Sequence, residues 1–363
     1  MKSAYYSLNR VPLKSTVFSL AFPLELPLIL SVILAHLLFL PFSVRAAQSD
    51  PNAGAQADPN AIVPNRPVEL VRRIYGSSKD AIKDTADSGG TPVFIAQNSK
   101  GNLYVVYSGQ KEEIQVFDPK GSFLFKFGEK GDTEKAFSSY ICGIAINSRD
   151  EVYVCDVLKK KVLVFDPKGN FQFSFSSVQG LDKEDGKQDT TPSHIAIDAK
   201  DRVYISDSAN GHVWVHDSRG KYLFPLGGPE QGRFPTCGQI RFDSKGNIYI
   251  LEGLVNTVQV CDPKGNPLFS IGKTGSRTGQ FLRISGLAID SQTRIYVSDI
   301  VLSVVQVFNS QGELLGVIKQ VPDKNEEDQT FKGLAHTFIG QNDLIYLIEL
   351  PFHRVTVIKD KNK

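Results

Sequence analysis

Residues 140–169 read YICGIAINSRDEVYVCDVLKKKVLVFDPKG. Three short apolar segments in this stretch, ICGIAI, VYVCD and VLVFD, are separated by polar turns, and a fourth segment, NFQFSF, follows them. Short apolar runs bounded by Asn, Asp, Pro and Gly are typical of β-strands joined by tight turns. The stretch therefore predicts one antiparallel meander of four strands.

The same pattern recurs along the chain. Its tyrosine has counterparts spaced by 49, 51, 45, 47 and 50 residues, and the full set is Tyr104, Tyr153, Tyr204, Tyr249, Tyr296 and Tyr346. The turn after the third segment recurs as DPKG, DSRG or NSQG, in which Asp or Asn can bond its own backbone, Pro presets φ and Gly tolerates the last position. Four strands per repeat of this length predict an all-β fold, a six-bladed β-propeller.

The sixth repeat lacks a fourth strand, because the chain stops soon after RVTVIKD. Residues 67–76, PVELVRRIYG, have the form of a fourth strand and stand alone before the first repeat. We therefore predict that this N-terminal strand completes the last blade and closes residues 67–363 into one ring. Closure would remove two open sheet edges, which otherwise invite aggregation.

The motif order resembles that of NHL-repeat six-bladed β-propellers, here of an exported bacterial type. It stands as GIAIN, VYVCD and VLVFDPKG in the second repeat, and as GLAID, IYVSD and VQVFNSQG in the fifth. The resemblance covers roughly residues 67–360 and implies the fold, but not the function, because one fold hosts many functions. Some NHL-like propellers are metal-dependent lyases with channel histidines, and the candidates here are His194 and His336.

Residues 1–46 are predicted to direct export. Lys2, Arg10 and Lys14 precede an apolar run over residues 26–44, which small residues follow. The segment is either a cleaved signal peptide or a retained membrane anchor, and it is the only predicted contact with a membrane. Residues 47–66 contain DPN twice and few large apolar side chains, so they predict a disordered linker. The propeller is expected in the periplasm, at the cell surface or outside the cell.

Charge and cysteine spacing exclude several function classes. The chain has 41 basic and 39 acidic residues, and removal of residues 1–46, with four basic residues and one acid, leaves 37 to 38, or about −1. A near-neutral propeller argues against a nucleic-acid partner. No CxxCH, CxxC or Cys/His array occurs, so neither covalent haem nor a zinc site is predicted, and we expect no cofactor.

Exported proteins fold in an oxidising environment, in which cysteines can pair as disulfides. Cys142 and Cys155 lie in the first and second strands of one repeat, at positions where sister repeats have serine pairs. This alignment predicts a disulfide between Cys142 and Cys155 across the hairpin. The alternative is two buried free thiols.

We name the strands of each blade a to d from the inside of the ring outward, so that the b–c links and d–a segments leave one face of the ring. The turns on the opposite face are polar, as in NSKGN, NSRDE and DAKDR. Apolar residues occupy four of the b–c links: Val157, Leu158, Leu254, Val255, Ile300, Val301, Leu302, Leu350 and Phe352. Exposed apolar patches mark interaction sites, unless the d–a segments fold over them. The sequence therefore predicts an exported scaffold or recognition module that binds a protein partner through this face.

Two other functions stay open. Five blades have an acid three residues after the anchor tyrosine, namely Asp156, Asp207, Glu252, Asp299 and Glu349. With His194 and His336 in inner strands, such acids would allow a metal-dependent lyase or a lactonase-like enzyme in the central channel. However, we expect each acid to accept hydrogen bonds from its own b–c link, since all five end the second strand. The third possibility is a propeller that binds a glycan or another small ligand.

Overall fold

The computed structural model describes residues 64–75, 90–109, 111–177, 190–227, 234, 236–323 and 328–362. The predicted export segment, residues 1–46, lies outside them, as does most of the predicted linker. In this described part of the chain, no helix combines the length and the apolar character needed to cross a membrane.

Six antiparallel sheets of four strands form the ring. Blade one is β2–β5 (Thr91–Gln97, Leu103–Ser108, Glu113–Phe117, Phe123–Phe127). Blade two is β6–β9 (Ile141–Ile146, Val152–Asp156, Lys161–Phe165, Phe171–Ser176). Blade three is β10–β13 (Pro192–Ile197, Val203–Asp207, His212–His216, Tyr222–Leu226).

Blade four is β14–β17 (Cys237–Phe242, Ile248–Glu252, Thr257–Cys261, Pro267–Ile271) and blade five is β18–β21 (Ile284–Ile289, Ile295–Asp299, Val304–Phe308, Leu314–Ile318). Blade six consists of β22 (Leu334–Ile339), β23 (Ile345–Glu349), β24 (Arg354–Asp360) and β1 (Val68–Tyr75). Neighbouring a-strands contact one another around the centre, including β22 with β2. The predicted six-bladed, all-β propeller is confirmed.

Strand β1 closes the ring as the outermost strand of blade six. It pairs antiparallel with β24, from Val68 opposite Asp360 to Tyr75 opposite Arg354. Just before β1, Arg66 forms a buried ion pair with Asp360, with 2.7 Å between Nη2 and Oδ2. The predicted completion of the last blade by the N-terminal strand is therefore confirmed, and a buried charge pair stabilises the junction.

The anchor tyrosines join neighbouring blades, which explains why the repeat contains them. All six are buried. The hydroxyl of Tyr104 donates to the carbonyl oxygen of Pro167 in the c–d turn of the next blade, and Tyr153 donates in the same way to Ser218, both at 2.9 Å. A buried phenol needs such an acceptor for its hydroxyl.

Four phenylalanines fill the gaps between blades at the ends of the d–a segments. Phe137, Phe234, Phe281 and Phe331 are all at most 4% exposed. Gly128, with a φ of +84°, lies directly beneath the ring of Phe137, and a Cβ at this glycine would overlap that ring. The glycine after a d-strand is therefore needed both for its backbone conformation and for the space that it leaves.

The predicted disulfide between Cys142 and Cys155 is wrong in this structure, which has both residues as buried free thiols. A β-bulge between Ile141 and Gly143 shifts the register, so that Gly143 rather than Cys142 lies opposite Cys155. The Sγ atom of Cys142 lies 3.3 Å from the carbonyl oxygen of Cys155. Burial, followed by the hydrogen bond to Cys155, raises the pKa of the Cys142 thiol well above its usual value.

Candidate functional site

The b–c links and the d–a segments lie together on one face of the ring. In four blades a backbone amide of the b–c link donates to a carbonyl oxygen of the preceding d–a segment: Val157 to Tyr140, Ser208 to Thr191, Ile300 to Arg283 and Leu350 to Gly333. We call the surface formed by these links and segments the b–c face. Its backbone is tied by hydrogen bonds, so its side chains project from fixed positions.

Five of the nine predicted partner-binding residues are well exposed on the b–c face. Their exposed fractions are 66% for Leu158, 57% for Val301, 50% for Leu254, 43% for Phe352 and 41% for Val255. The structure also adds Leu282, which is 41% exposed in the d–a segment before blade five. We call Leu254, Val255, Leu282, Val301 and Phe352, on blades four to six, the apolar patch.

The other four predicted residues contribute less surface. Ile300, Leu302 and Leu350 are half-buried. Val157 was wrongly predicted to be available, because it is only 9% exposed and packs into the core cluster that includes Cys142 and Cys155. Its amide bonds to Tyr140, which turns the start of this link inward and leaves Leu158 at the tip.

Phe352 is held in place by a chain of contacts. The guanidinium of Arg354 lies 4.3 Å from the centre of the Phe352 ring. Nε of Arg354 in turn donates to Oε1 of the buried Glu349, at 3.1 Å. Because the guanidinium of Arg354 both stacks on the ring and pairs with Glu349, the side chains of Phe352 and Arg354 are restricted to one arrangement. The aromatic member of the patch is therefore pre-positioned before any partner arrives.

The five acids that end the second strands play structural roles in most blades, as predicted. Asp156, Asp207 and Asp299 each accept amides from their own b–c link, for example Val301 N and Leu302 N on Oδ1 of Asp299 at 2.9 and 2.8 Å. Glu349 instead binds Arg354 and Thr356. Glu252 differs from all of these, because burial alone raises its pKa to about 7.

The raised pKa of Glu252 predicts that the free energy of unfolding depends on pH. The native state binds this proton more tightly than the unfolded chain, whose ordinary value is 4.5. Stability is therefore greatest below the unfolded value and falls as the pH rises through about 7. We expect Glu252→Gln to raise the free energy of unfolding by up to ~3 kcal/mol at mildly alkaline pH and by little under acidic conditions.

Urea denaturation at several pH values measures this effect. Glu313→Gln, at an exposed position on a c–d turn, is the matched control and should change little. If the gain in free energy of unfolding of Glu252→Gln over the wild type did not grow with pH, the prediction would be contradicted. The charge of the buried carboxylate would then be stabilised by its surroundings in the native state.

Side chains from three different blades meet at the centre of the ring. Phe94, His194 and His336 come from β2, β10 and β22. Their ring centres are 6.0 Å apart for Phe94 and His194, 5.6 Å for Phe94 and His336, and 6.4 Å for the two histidines. The structure thus brings the two predicted channel histidines together, in contact with an aromatic ring.

Their surroundings do not suit a divalent metal ion. Nε2 of His194 lies 3.1 Å from Nη1 of Arg241, and Nδ1 of His336 lies 2.9 Å from Nε2 of Gln239. Burial first, and then the charge of Arg241, lower the pKa of both histidines well below the usual value. In the residues that the structure describes, no group of three or more His, Cys, Asp or Glu is placed to hold a metal.

Arg241 and Gln239 were not identified from the sequence, although the repeats differ at an inner-strand position. At the register position of Arg241, four other blades have alanine: Ala96, Ala145, Ala196 and Ala288. The repeat QIRFD thus places a cation where GIAIN and GLAID have a methyl group. Comparison among the repeats at this inner position would have identified it.

A cavity of about 490 Å³ opens at the opposite end of the ring from the b–c face, among the a–b turns. Its lining includes Asn98, Asn147, Asp198 and, at its inner end, Phe338. Phe338 lies opposite its anchor tyrosine, Tyr346, just as Arg241 lies opposite Tyr249. The cavity therefore reaches the level of Arg241.

Comparisons with known proteins support the fold. No protein-family model matches the chain, and no curated protein matches it either. Among solved structures, streptogramin B lyase is similar, with a TM-score of 0.52 at 10% identity over 74% of this chain and 78% of that chain. A hydrazine synthase of Kuenenia stuttgartiensis gives a TM-score of 0.53 at 13% identity, over 75% and 96%.

A third similar structure is a catalytically inactive variant of virginiamycin B lyase from Staphylococcus aureus with quinupristin. Its TM-score is 0.52 at 13% identity, over 76% of this chain and 85% of that chain. At such low identity these matches establish the shared propeller fold alone. Because no family model matches, the NHL resemblance stays a prediction.

Proposed function

We propose that this protein is an exported recognition module that binds a protein partner through the apolar patch on blades four to six. The observation that carries the proposal is the exposure of five apolar side chains on one face of the ring, namely Leu254, Val255, Leu282, Val301 and Phe352. Several exposed apolar side chains on one face of a domain are typical of interaction sites. Export by residues 1–46 is part of the same proposal and rests on the sequence.

The way in which the patch is built favours binding. The links that carry it are tied to neighbouring d–a segments, for example by Asn256, whose side chain donates to Leu282 O and accepts from Ile284 N. A fixed surface loses little conformational entropy when a partner docks. Arg354 is itself buried and stacks on Phe352, so it fixes the exposed ring in one orientation.

The enzyme alternative receives less support from the described residues. The predicted metal ligands His194 and His336 contact Gln239, Arg241 and Phe94 at the centre of the ring. A guanidinium beside the imidazoles opposes a second cation electrostatically. The experiment that tests the proposed function is a charge substitution in the apolar patch, with capture of the partner as its readout, and the Discussion gives its design.

A further inference from the structure

The centre of the ring contains a cation without a counter-charge. Arg241 is partly buried, and its Nη1 donates to Nε2 of His194 and to the carbonyl oxygen of Ile240 at 2.8 Å. Within the described part of the chain, the guanidinium makes no ion pair with a carboxylate. Burial lowers the pKa of Arg241 to about 10, with no acid opposing the shift. Buried charges in proteins are normally paired.

A second donor close by also lacks a partner. The amide of Gln239 is oriented by its neighbours, because its Nε2 donates to Ser285 O and its Oε1 accepts from Leu287 N. Nε2 of Gln239 must therefore also donate to Nδ1 of His336, at 2.9 Å. This bond places the imidazole proton on the other nitrogen, Nε2. That nitrogen is buried and has no hydrogen-bond partner.

His194 completes the arrangement without competing for an anion. Its Nε2 accepts from Nη1 of Arg241, at 3.1 Å, so this nitrogen carries no proton. The imidazole thereby orients the guanidinium while remaining neutral. Only one positive charge is present at this site, and it lies close enough to His336 to lower the pKa of that residue.

We propose that the centre of the ring binds one small carboxylate, held by the guanidinium of Arg241 and by Nε2–H of His336. A monovalent oxyanion balances the single charge, and a carboxylate can accept from both donors at once. The site takes only a small group, because the inner strands approach closely. A Cβ at Gly286, for example, would lie 2.5 Å from the amide nitrogen of Thr337.

The carboxylate would enter through the cavity among the a–b turns. The acids at this mouth are already engaged in hydrogen bonds. Asp150 accepts from the amide and hydroxyl of Ser99, and Asp201 accepts from those of Ser148. Their charges are therefore partly compensated, and the remainder of a longer ligand would meet polar turns. This inference is independent of partner binding on the b–c face.

Titration calorimetry of the full chain with sodium formate, sodium acetate, sodium phosphate and sodium chloride tests the proposal. Formate or acetate should bind with one-to-one stoichiometry and should shift the 15N resonance of His336 Nε2. In Arg241→Met the affinity should fall about tenfold or more. Arg219→Met, at an exposed arginine on a c–d turn, should bind like the wild type.

Several results would overturn the inference. One is the absence of heat and of a resonance shift with formate and acetate in the wild type. Another is binding of chloride or phosphate as tight as that of the carboxylates, which would reject the ligand class. If Arg241→Met fails to fold, the resonance of His336 in the wild type still decides whether the anion reaches the site.

Discussion

Replacing residues 68–75 by a Gly/Ser sequence of equal length is expected to unfold the ring cooperatively. Val68 and Ile74 are each 2% exposed, and loss of such side chains costs about 1.5–3 kcal/mol apiece. Without β1, strand β24 becomes an open edge, and the Arg66–Asp360 pair loses the strand that positions it. Disrupting a buried ion pair costs about 3–5 kcal/mol. The sum rivals the whole stability of a typical domain, about 5–15 kcal/mol.

Circular dichroism during heating measures this effect. The control replaces the exposed residues 132–135, in the d–a segment before blade two, by a Gly/Ser sequence of equal length, and it should lower the melting temperature far less. The account of ring closure would be contradicted by a variant without β1 that melts in one transition at the wild-type temperature.

Simultaneous substitution of Leu254, Val301 and Phe352 by Asp is expected to abolish partner binding without unfolding the protein. Each apolar side chain buried in a complex contributes about 1.5–3 kcal/mol, and an unpaired carboxylate in its place adds a further desolvation cost. A loss of at least ~4 kcal/mol corresponds to about a thousandfold weaker binding. The melting temperature should hold, because all three side chains are at least 43% exposed.

The matched control places three Asp residues elsewhere on the ring. Leu124, Leu223 and Leu268 lie on outer strands and are 46%, 40% and 50% exposed, so Leu→Asp at these positions repeats the chemistry on another surface. The control should capture the partner from the host as the wild type does. Equal capture by the patch variant, or equal loss by the control, would reject the b–c face as the binding surface.

Most of the fold could be predicted from the sequence, because each repeat contains the residues that determine its own strands and turns. The Asx turn acts within one repeat, since the amides of Lys120 and Ser122 donate to Oδ1 of Asp118, and the anchor tyrosine recurs at a fixed period. Closure by residues 67–76 followed from one missing strand. These features depend on neighbours that are near in sequence or fixed by the period, so pattern alone identifies them.

The candidate site was less predictable, since it depends on which way single side chains point. Val157 and Leu158 are adjacent and equally apolar, yet one is buried and the other is 66% exposed. The bulge at Cys142 changes the register by one residue, which a spacing of 13 cannot reveal. Contacts such as Gln239 with His336 join blades that are 97 residues apart. Only the closed ring brings such residues together.

Hydrogen–deuterium exchange of the propeller, alone and with its captured partner, tests the central proposal most directly. The account predicts that the partner slows exchange in the b–c links of blades four to six, at residues 253–256, 300–303 and 350–353. It also predicts unchanged exchange in the c–d turns 118–121 and 166–169. Protection confined to the c–d or a–b turns, with none in these b–c links, would contradict the account.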